Sequence, residues 1–360
     1  NGGSGVYTNN ANGITFDGNV MVNNGSYGAS FNFASGTFTS LVDNAGSGNR
    51  ENGIALSGSL GSNTTLHVNP SLPYIIPNND LTVNGGVTLT VPASGVVKFD
   101  ALGAQLRIYG NLQVQGTADN PVAFTSIKDD SVGGDTNNDG TASAPARGDW
   151  QDIVVYGQAN IAYAALRYGG RTGYGDDSIL YLHDNAVVSV DHATVSDSFS
   201  HGIALNASGS VSTHLTMLAS TVQSNAGHGI AAFQSYGPGN TQLSISGSTF
   251  RANVGNGISI SGPNNTTISA SSIYGNGGYG ISGNGSATIN AENNWWGADS
   301  GPAPYGTGNG INYRTCYDSV KKVNYICQYY VDAEPWVGRS VYVASQLGSS
   351  GPAARYQPHE

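Results

Sequence analysis

The chain has 360 residues, 52 of them glycine, with 38 % hydrophobic and only 10 % charged side chains. Glycine is about twice its usual ~7 % share and charge is far below the usual ~25 %, which excludes a disordered polyelectrolyte and disfavours an α-rich fold. Thirteen Lys and Arg against 23 Asp and Glu leave a net charge of −10, so nucleic acid is not an expected partner, and no apolar run approaches the ~18 residues that membrane insertion by a helix requires.

From the N-terminus, three stretches share one pattern: Asn1 to Val6 (NGGSGV), Asn24 to Ala29 (NGSYGA) and Asn49 to Ile54 (NRENGI). Asn1 falls on the recurring Asn position, so the chain starts inside a coil. This start is read as an excised piece of a longer repeat, or an end covered by another subunit in head-to-tail contact. Residues 1–70 are read as N-terminal coils, and Pro70, Pro73 and Pro77 mark a crossing. Short strands follow at Leu81 to Val83, Val87 to Val91, Leu106 to Ile108 and Leu112 to Val114, within a main body of residues 71–302.

Residues 126–149 interrupt that body as a polar insertion carrying Asp129, Asp130, Asp135, Asn137, Asp139 and Gly140. Asp135-x-Asn137-x-Asp139-Gly140 has the alternating oxygen spacing that wraps Ca²⁺, so a structural Ca²⁺ that orders the loop is expected from Asp129, Asp130, Asp135, Asn137 and Asp139. It is not an EF-hand, because Ala146 stands where the twelfth-position Glu belongs. The alternative is a solvated turn rich in Asp and Asn.

The repeat resumes near Ile153 and continues in Ser198 to Ile203 (SFSHGI), Asn225 to Ile230 (NAGHGI), Asn253 to Ile258 (NVGNGI) and Asn276 to Ile281 (NGGYGI). Steps of 23 to 28 residues separate consecutive final apolar residues within each group. Three residues before the Asn position lies an apolar column, Met21, Val195, Val222, Phe250 and Ile273. Five earlier lies a second, Phe16, Val190, Met217, Ile245 and Ile268. Strands of three to five residues cannot bury a face alone, but stacked coil on coil at ~4.8 Å they form continuous apolar columns and an Asn ladder. An all-β solenoid of about 12 to 14 coils follows. Trp295-Trp296 suit a cap over the last core layer. Residues 303–360 hold a cap, a cysteine loop, one further strand at Ser340 to Ala344 and an extended tail. Cys316 and Cys327 are the only cysteines. Paired in an extracellular protein they would contribute roughly 3 kcal/mol, and in a reducing compartment they would be free thiols.

The Asn-x-Gly-x-Gly-Ile turns resemble the right-handed parallel β-helix repeats of secreted and cell-surface bacterial proteins. Two further blocks are similar to segments of large surface β-helix proteins. One spans Leu81, Val97-Lys98-Phe99, Gly116 to Thr125 and Gly148-Asp149-Trp150; the other is Asn293 to Pro302 with Pro335-Trp336. The resemblance implies a three-sided coil in an extracellular or cell-surface setting and is nearly silent about activity.

Two chemistries compete on the resulting faces. Asp176-Asp177 and Ser200-His201-Gly202 resemble the Asp-Asp and Gly-His-Gly motifs of the polygalacturonase family, which implies an acid or base at Asp177 and a substrate contact at His201. That family's Asn-Thr-Asp and Arg-Ile-Lys motifs are missing here. His228 stacks one coil from His201, in an outward column that also holds Asn256, Tyr279 and Asn52. Arg167, Tyr168, Arg171 and Tyr174 form a second candidate, a glycan-binding patch in which rings stack on sugars and Arg binds carboxylates. A lyase would need a strong base, and the only lysines are Lys98, Lys128, Lys321 and Lys322. The reading that accounts for most residues is a structural or adhesive module, with other copies of itself or a neighbouring surface protein as partner and polysaccharide as a further one. A polysaccharide hydrolase or lyase is the competitor.

Overall fold

The computed structural model describes residues 2–171, 177–284, 287–318 and 321–338. Each coil gives one short strand to each of three faces, and equivalent strands of successive coils pair in parallel. Face 1 is a ten-stranded sheet running from Thr64–Thr65 to Val331–Asp332. Face 2 runs through Val96–Phe99, Val122–Ser126, Ala164–Arg167, Thr194–Ser196, Thr221–Gln223, Thr249–Arg251 and Ser272–Tyr274. Face 3 runs through Gln105–Ile108, Asp152–Val155, Ser178–His183, His201–Ser208, Ile230–Tyr236, Ile258–Ser261 and Ile281–Asn284. Near the N-terminus the ten-residue strands Tyr27–Gly36 and Glu51–Leu60 serve faces 2 and 3 together, which joins them into one 19-stranded sheet.

The apolar columns are the core. Val195, Val222, Phe250 and Ile273 sit in direct register, all fully buried. So do Ile203, Ile230, Ile258 and Ile281 on face 3, and Val190, Met217, Ile245 and Ile268 on face 1. Each such side chain contributes roughly 1.5–3 kcal/mol of burial, so the columns, not helix or strand propensity, hold the solenoid.

Two sharp bends per coil turn the chain between faces. After face 1 the bend residue adopts a left-handed conformation: Tyr163, His192, Ala219, Gly247, Ala270 and Asn293 have φ of 47°, 49°, 45°, 60°, 48° and 60°. Only Gly takes this geometry without strain. The others are held there because each bend N–H bonds to the next coil, as in Tyr163 N to Asp191 O at 2.9 Å and His192 N to Leu218 O at 3.1 Å.

The polar ladder runs along the same axis. Asn225 donates its backbone N–H and its amide to Asn253 Oδ1 at 3.2 and 2.8 Å; Asn253 does the same to Asn276, and Asn276 to Asn309. Ser198 heads this ladder, and Asn24 to Asn49 repeats it in the N-terminal coils. A second ladder of Ser220, Ser248, Ser271 and Asn294 takes the backbone N–H of the preceding coil at each step.

The coil count differs from expectation. Ten strands in face 1 put the solenoid at about ten turns, fewer than 12 to 14. A uniform 25-residue step overcounts because the insertion at 126–149 and the segment beyond Asn294 add chain without adding full coils. Trp296 is fully buried next after Ile273 on face 2, where Trp295 bridges Ser272, while Ile311 extends the face 3 column beyond Ile281 and Trp336 lies over Gly301. An antiparallel hairpin, Tyr313–Asp318 with Val323–Tyr329, stands apart from the solenoid sheets. The strand expected at Ser340 to Ala344, and the tail, lie outside the described residues. Among the described residues no helix is long and apolar enough to cross a membrane.

Candidate functional site

On strand Val96–Phe99, Val97 and Phe99 point into the core, so the two-residue period of a strand turns Lys98 to the outer surface of face 2. A lysine there would ordinarily be solvated. Lys98 is instead completely buried, because insertion 126–149 lies over it. Its ammonium donates to the backbone oxygens of Asp129 at 2.9 Å and Gly134 at 2.8 Å. Burial pushes the Lys98 amine down to about 8, against the opposing pull of Asp129, Asp130 and Asp135.

Around this cation the insertion is pinned at widely spaced coils. Asn52 N–H donates to Thr136 O at 2.6 Å. Arg167 bonds the Asp129 carboxylate at 2.7 Å and Ser131 Oγ at 2.8 Å. Lys128 and Ser126 hold Asp149 at 2.8 and 2.7 Å, and Arg147 reaches Ser224 O at 2.6 Å. At its exit, Trp150 stacks on Phe99 with ring centres 3.9 Å apart and donates its indole N–H to Arg167 O. The insertion is therefore a lengthwise brace whose contacts run from the coil of residue 52 to the coil of residue 224.

The acidic residues divide into two sets. Burial raises the Asp129 carboxyl, but hydrogen bonds from Ser131 and Thr125 and the Arg167 charge outweigh it and hold the group below the usual carboxylate range. Both Asp135 oxygens accept backbone N–H groups, from Asp139 at 3.1 Å and Gly140 at 2.9 Å. Asp129 and Asp135 are thus committed to the fold. Asp130 Oδ1, Asn137 Oδ1 and Asp139 Oδ1, in contrast, are sealed from solvent without a hydrogen-bond partner. Burial raises the Asp130 carboxyl, Asp135 raises it further, and Asp139 and Asp129 add to this against Lys98. Buried oxygens left without donors, in carboxylates that repel one another, are the arrangement a hard cation relieves. Asp130, Asn137 and Asp139 are thus the residues of the insertion with an oxygen left to meet a cation. Among the described residues no three His, Cys, Asp or Glu side chains gather into a metal set.

The acid–base candidates are disposed differently. His201 and His228 stack as expected, rings 4.9 Å apart and 2° from parallel. Yet His201 Nδ1 accepts the His228 N–H at 2.9 Å, and His228 Nδ1 accepts the Asn256 N–H at 2.8 Å. Each ring therefore carries its proton on Nε2 and serves as a rung between coils. Burial, and then the neighbouring ring, push His201 down to about 4; burial alone lowers His228. The Asp177 backbone oxygen accepts the His201 N–H at 3.0 Å. Asp176 and Tyr174 lie outside the described residues. In the remaining glycan candidates, Arg167 is turned into the brace, its guanidinium 5.7 Å from the Tyr168 ring centre, and Arg171 lies over Phe199 at 5.2 Å.

Sequence reasoning passed over two groups. Lys98 reads as one polar residue in a Val-Val-Lys-Phe strand, and nothing local announces that a loop begun 28 residues later covers it. Asp152 is fully buried against Gln105 Nε2 at 2.6 Å, and burial pushes its carboxyl up to about 7. The pairing of Gln105 with Asp152 across 47 residues hides that contact from any local pattern.

A family model described as the right handed beta helix region matches residues 177–320. No curated protein and no solved structure matches the chain.

Proposed function

We propose that this chain, a right-handed parallel β-helix repeat protein, works as a structural or adhesive module outside the cell or at its surface. Its partners are further copies or a neighbouring surface protein, met end to end through parallel strand edges, whose two ends differ and so make heterologous contacts. One observation carries this reading over an enzymatic one. The imidazoles best suited to proton transfer, His201 and His228, spend their acceptor nitrogens on bonds between coils, and the Asn ladder beside them does the same.

Two features fit an extracellular setting. Facing strands of the hairpin bring Cys316 opposite Tyr325, two residues from Cys327, and the described residues include no free cysteine, which supports a Cys316–Cys327 disulfide. Ca²⁺ at Asp130, Asn137 and Asp139 would hold the brace closed. Chelation of the purified protein is then expected to lower the melting temperature by several degrees, and Asp139→Ala to abolish that difference. Identical melting with and without chelator would remove the metal from the account.

The competitor is a polysaccharide hydrolase or lyase acting on one solenoid face. Polyuronides and neutral glycans are expected to be left intact by the wild-type chain and by Asp177→Asn alike. Cleavage by the wild type that Asp177→Asn abolishes would replace the structural reading with the enzymatic one.

A further inference from the structure

We infer that face 1 is a docking surface for a neutral, extended β-1,4-linked polysaccharide lying along the solenoid axis. Its central outward column runs Thr90, Gln113, Asn160, Ser189, Thr216 and Ser244, one residue per coil in direct register. The residues flanking each of them in its strand, from Leu89 and Val91 to Leu243 and Ile245, are buried in the core. The two-residue period of a strand therefore turns all six to the same side. Asn160, Thr216 and Ser244 are exposed, and the other three are half-buried. Among the described residues Gln113 alone of these six side chains has a hydrogen-bond partner, the Asn111 amide oxygen at 3.0 Å. The Ser and Asn ladders at the bends spend their polar atoms on the fold; this column does not.

Charge selects the occupant. The strands of face 1 contain no Lys, Arg or Glu, and their aspartates are Asp191 and, in the last coil, Asp332. Asp191 is bonded to His192 Nδ1 at 2.6 Å. The face thus offers no cation to a sugar carboxylate or sulfate, and a chain of net charge −10 repels a polyanion. A protein partner needs a contiguous apolar centre, whereas the middle of this face is polar in every coil from Thr90 to Ser244. Hydroxyl and amide groups both donate and accept, as the hydroxyls of a neutral sugar do. Spacing sets the direction. The coils repeat at ~4.8 Å, close to the rise per sugar of an extended β-1,4-linked glycan, so successive sugars meet successive polar side chains. The sheet holds these groups in place before binding, which keeps the ordering cost low. Docking here requires neither end-to-end association nor turnover.

The test uses the full chain and calorimetry with cellohexaose, its α-1,4-linked isomer maltohexaose, and a β-1,4-linked glucuronic acid oligomer. Cellohexaose binding indifferent to salt is expected, with the other two probes at least tenfold weaker. Asn160→Ala/Thr216→Ala and Ser189→Arg should each weaken cellohexaose binding at least tenfold. Ser259→Arg, on the outer side of face 3, should match wild type. Circular dichroism and melting unchanged from wild type verify that the variants fold. Absence of cellohexaose binding, equal affinity for either other probe, or binding lost in Ser259→Arg and kept in Ser189→Arg overturns the inference. So does a wild-type dimer that Ser189→Arg dissociates while cellohexaose binding stays the same, since the occupant of face 1 would then be a second copy.

Discussion

Asn253→Ala is expected to destabilise the fold by about 3–5 kcal/mol, far more than an alanine substitution of a surface amide. Asn253 Oδ1 receives two donors from Asn225, while its amide donates to Val222 O at 3.2 Å and Asn276 Oδ1 at 2.9 Å. The side chain is essentially inaccessible to water. Truncation strands the Asn225 N–H and the Val222 oxygen in a dry interior, and each stranded group costs about 1–3 kcal/mol. Asn265→Ala, at an exposed position of face 1, is the control and should stay within about 0.5 kcal/mol. Urea unfolding of both variants measures the difference. A loss below ~1 kcal/mol for Asn253→Ala would mean that water reaches the ladder and that its bonds are dispensable.

The second large effect is at Lys98. Removing one partner of a buried charge typically costs about 3–5 kcal/mol, and Lys98→Met removes the ammonium donor from the Asp129 and Gly134 oxygens of the brace, leaving Gly134 O only the weaker Thr136 hydroxyl. It also removes the buried charge that opposes the mutual repulsion of Asp129, Asp130 and Asp135, leaving Arg167 on Asp129 as the cation that remains. Because the Asn ladder bonds run directly between coils, the expected failure is local. Protease cleavage within 126–149 should accelerate at least tenfold, while the far-ultraviolet circular dichroism of the solenoid is retained. Unchanged cleavage would show that the brace is held by its rim contacts, Asn52, Arg147 and Arg167, rather than by the buried amine.

What the sequence revealed followed from what repeats. Val195, Val222, Phe250 and Ile273 fall in one column because equal spacing and equal side-chain type are both local facts, and register follows from them. Asn225, Asn253 and Asn276 were legible for the same reason. Asn309 extends that ladder but follows Asn276 by 33 residues, a step lengthened by the Trp295-Trp296 turn, so periodicity did not reach it. At the candidate site, the oxygen-rich spacing of Asp135, Asn137 and Asp139 was visible, but its division of labour was not. Which carboxylates serve the backbone and which stay unpaired depends on where Arg167 and Lys98 stand, and both come from other coils. The roles of His201 and His228 were likewise hidden, because a ring aligned with its neighbour reads the same whether Nδ1 faces solvent or the next coil's N–H.

The solenoid rests on equivalent residues of successive coils lying directly over one another. A crystal structure of the chain measures this without intermediaries. Val195, Val222, Phe250 and Ile273 should follow one line at the ~4.8 Å strand spacing, with Asn225, Asn253, Asn276 and Asn309 in a parallel line joined amide to carbonyl. Electron density that staggers those side chains between faces, or places water between the Asn amides, would contradict it.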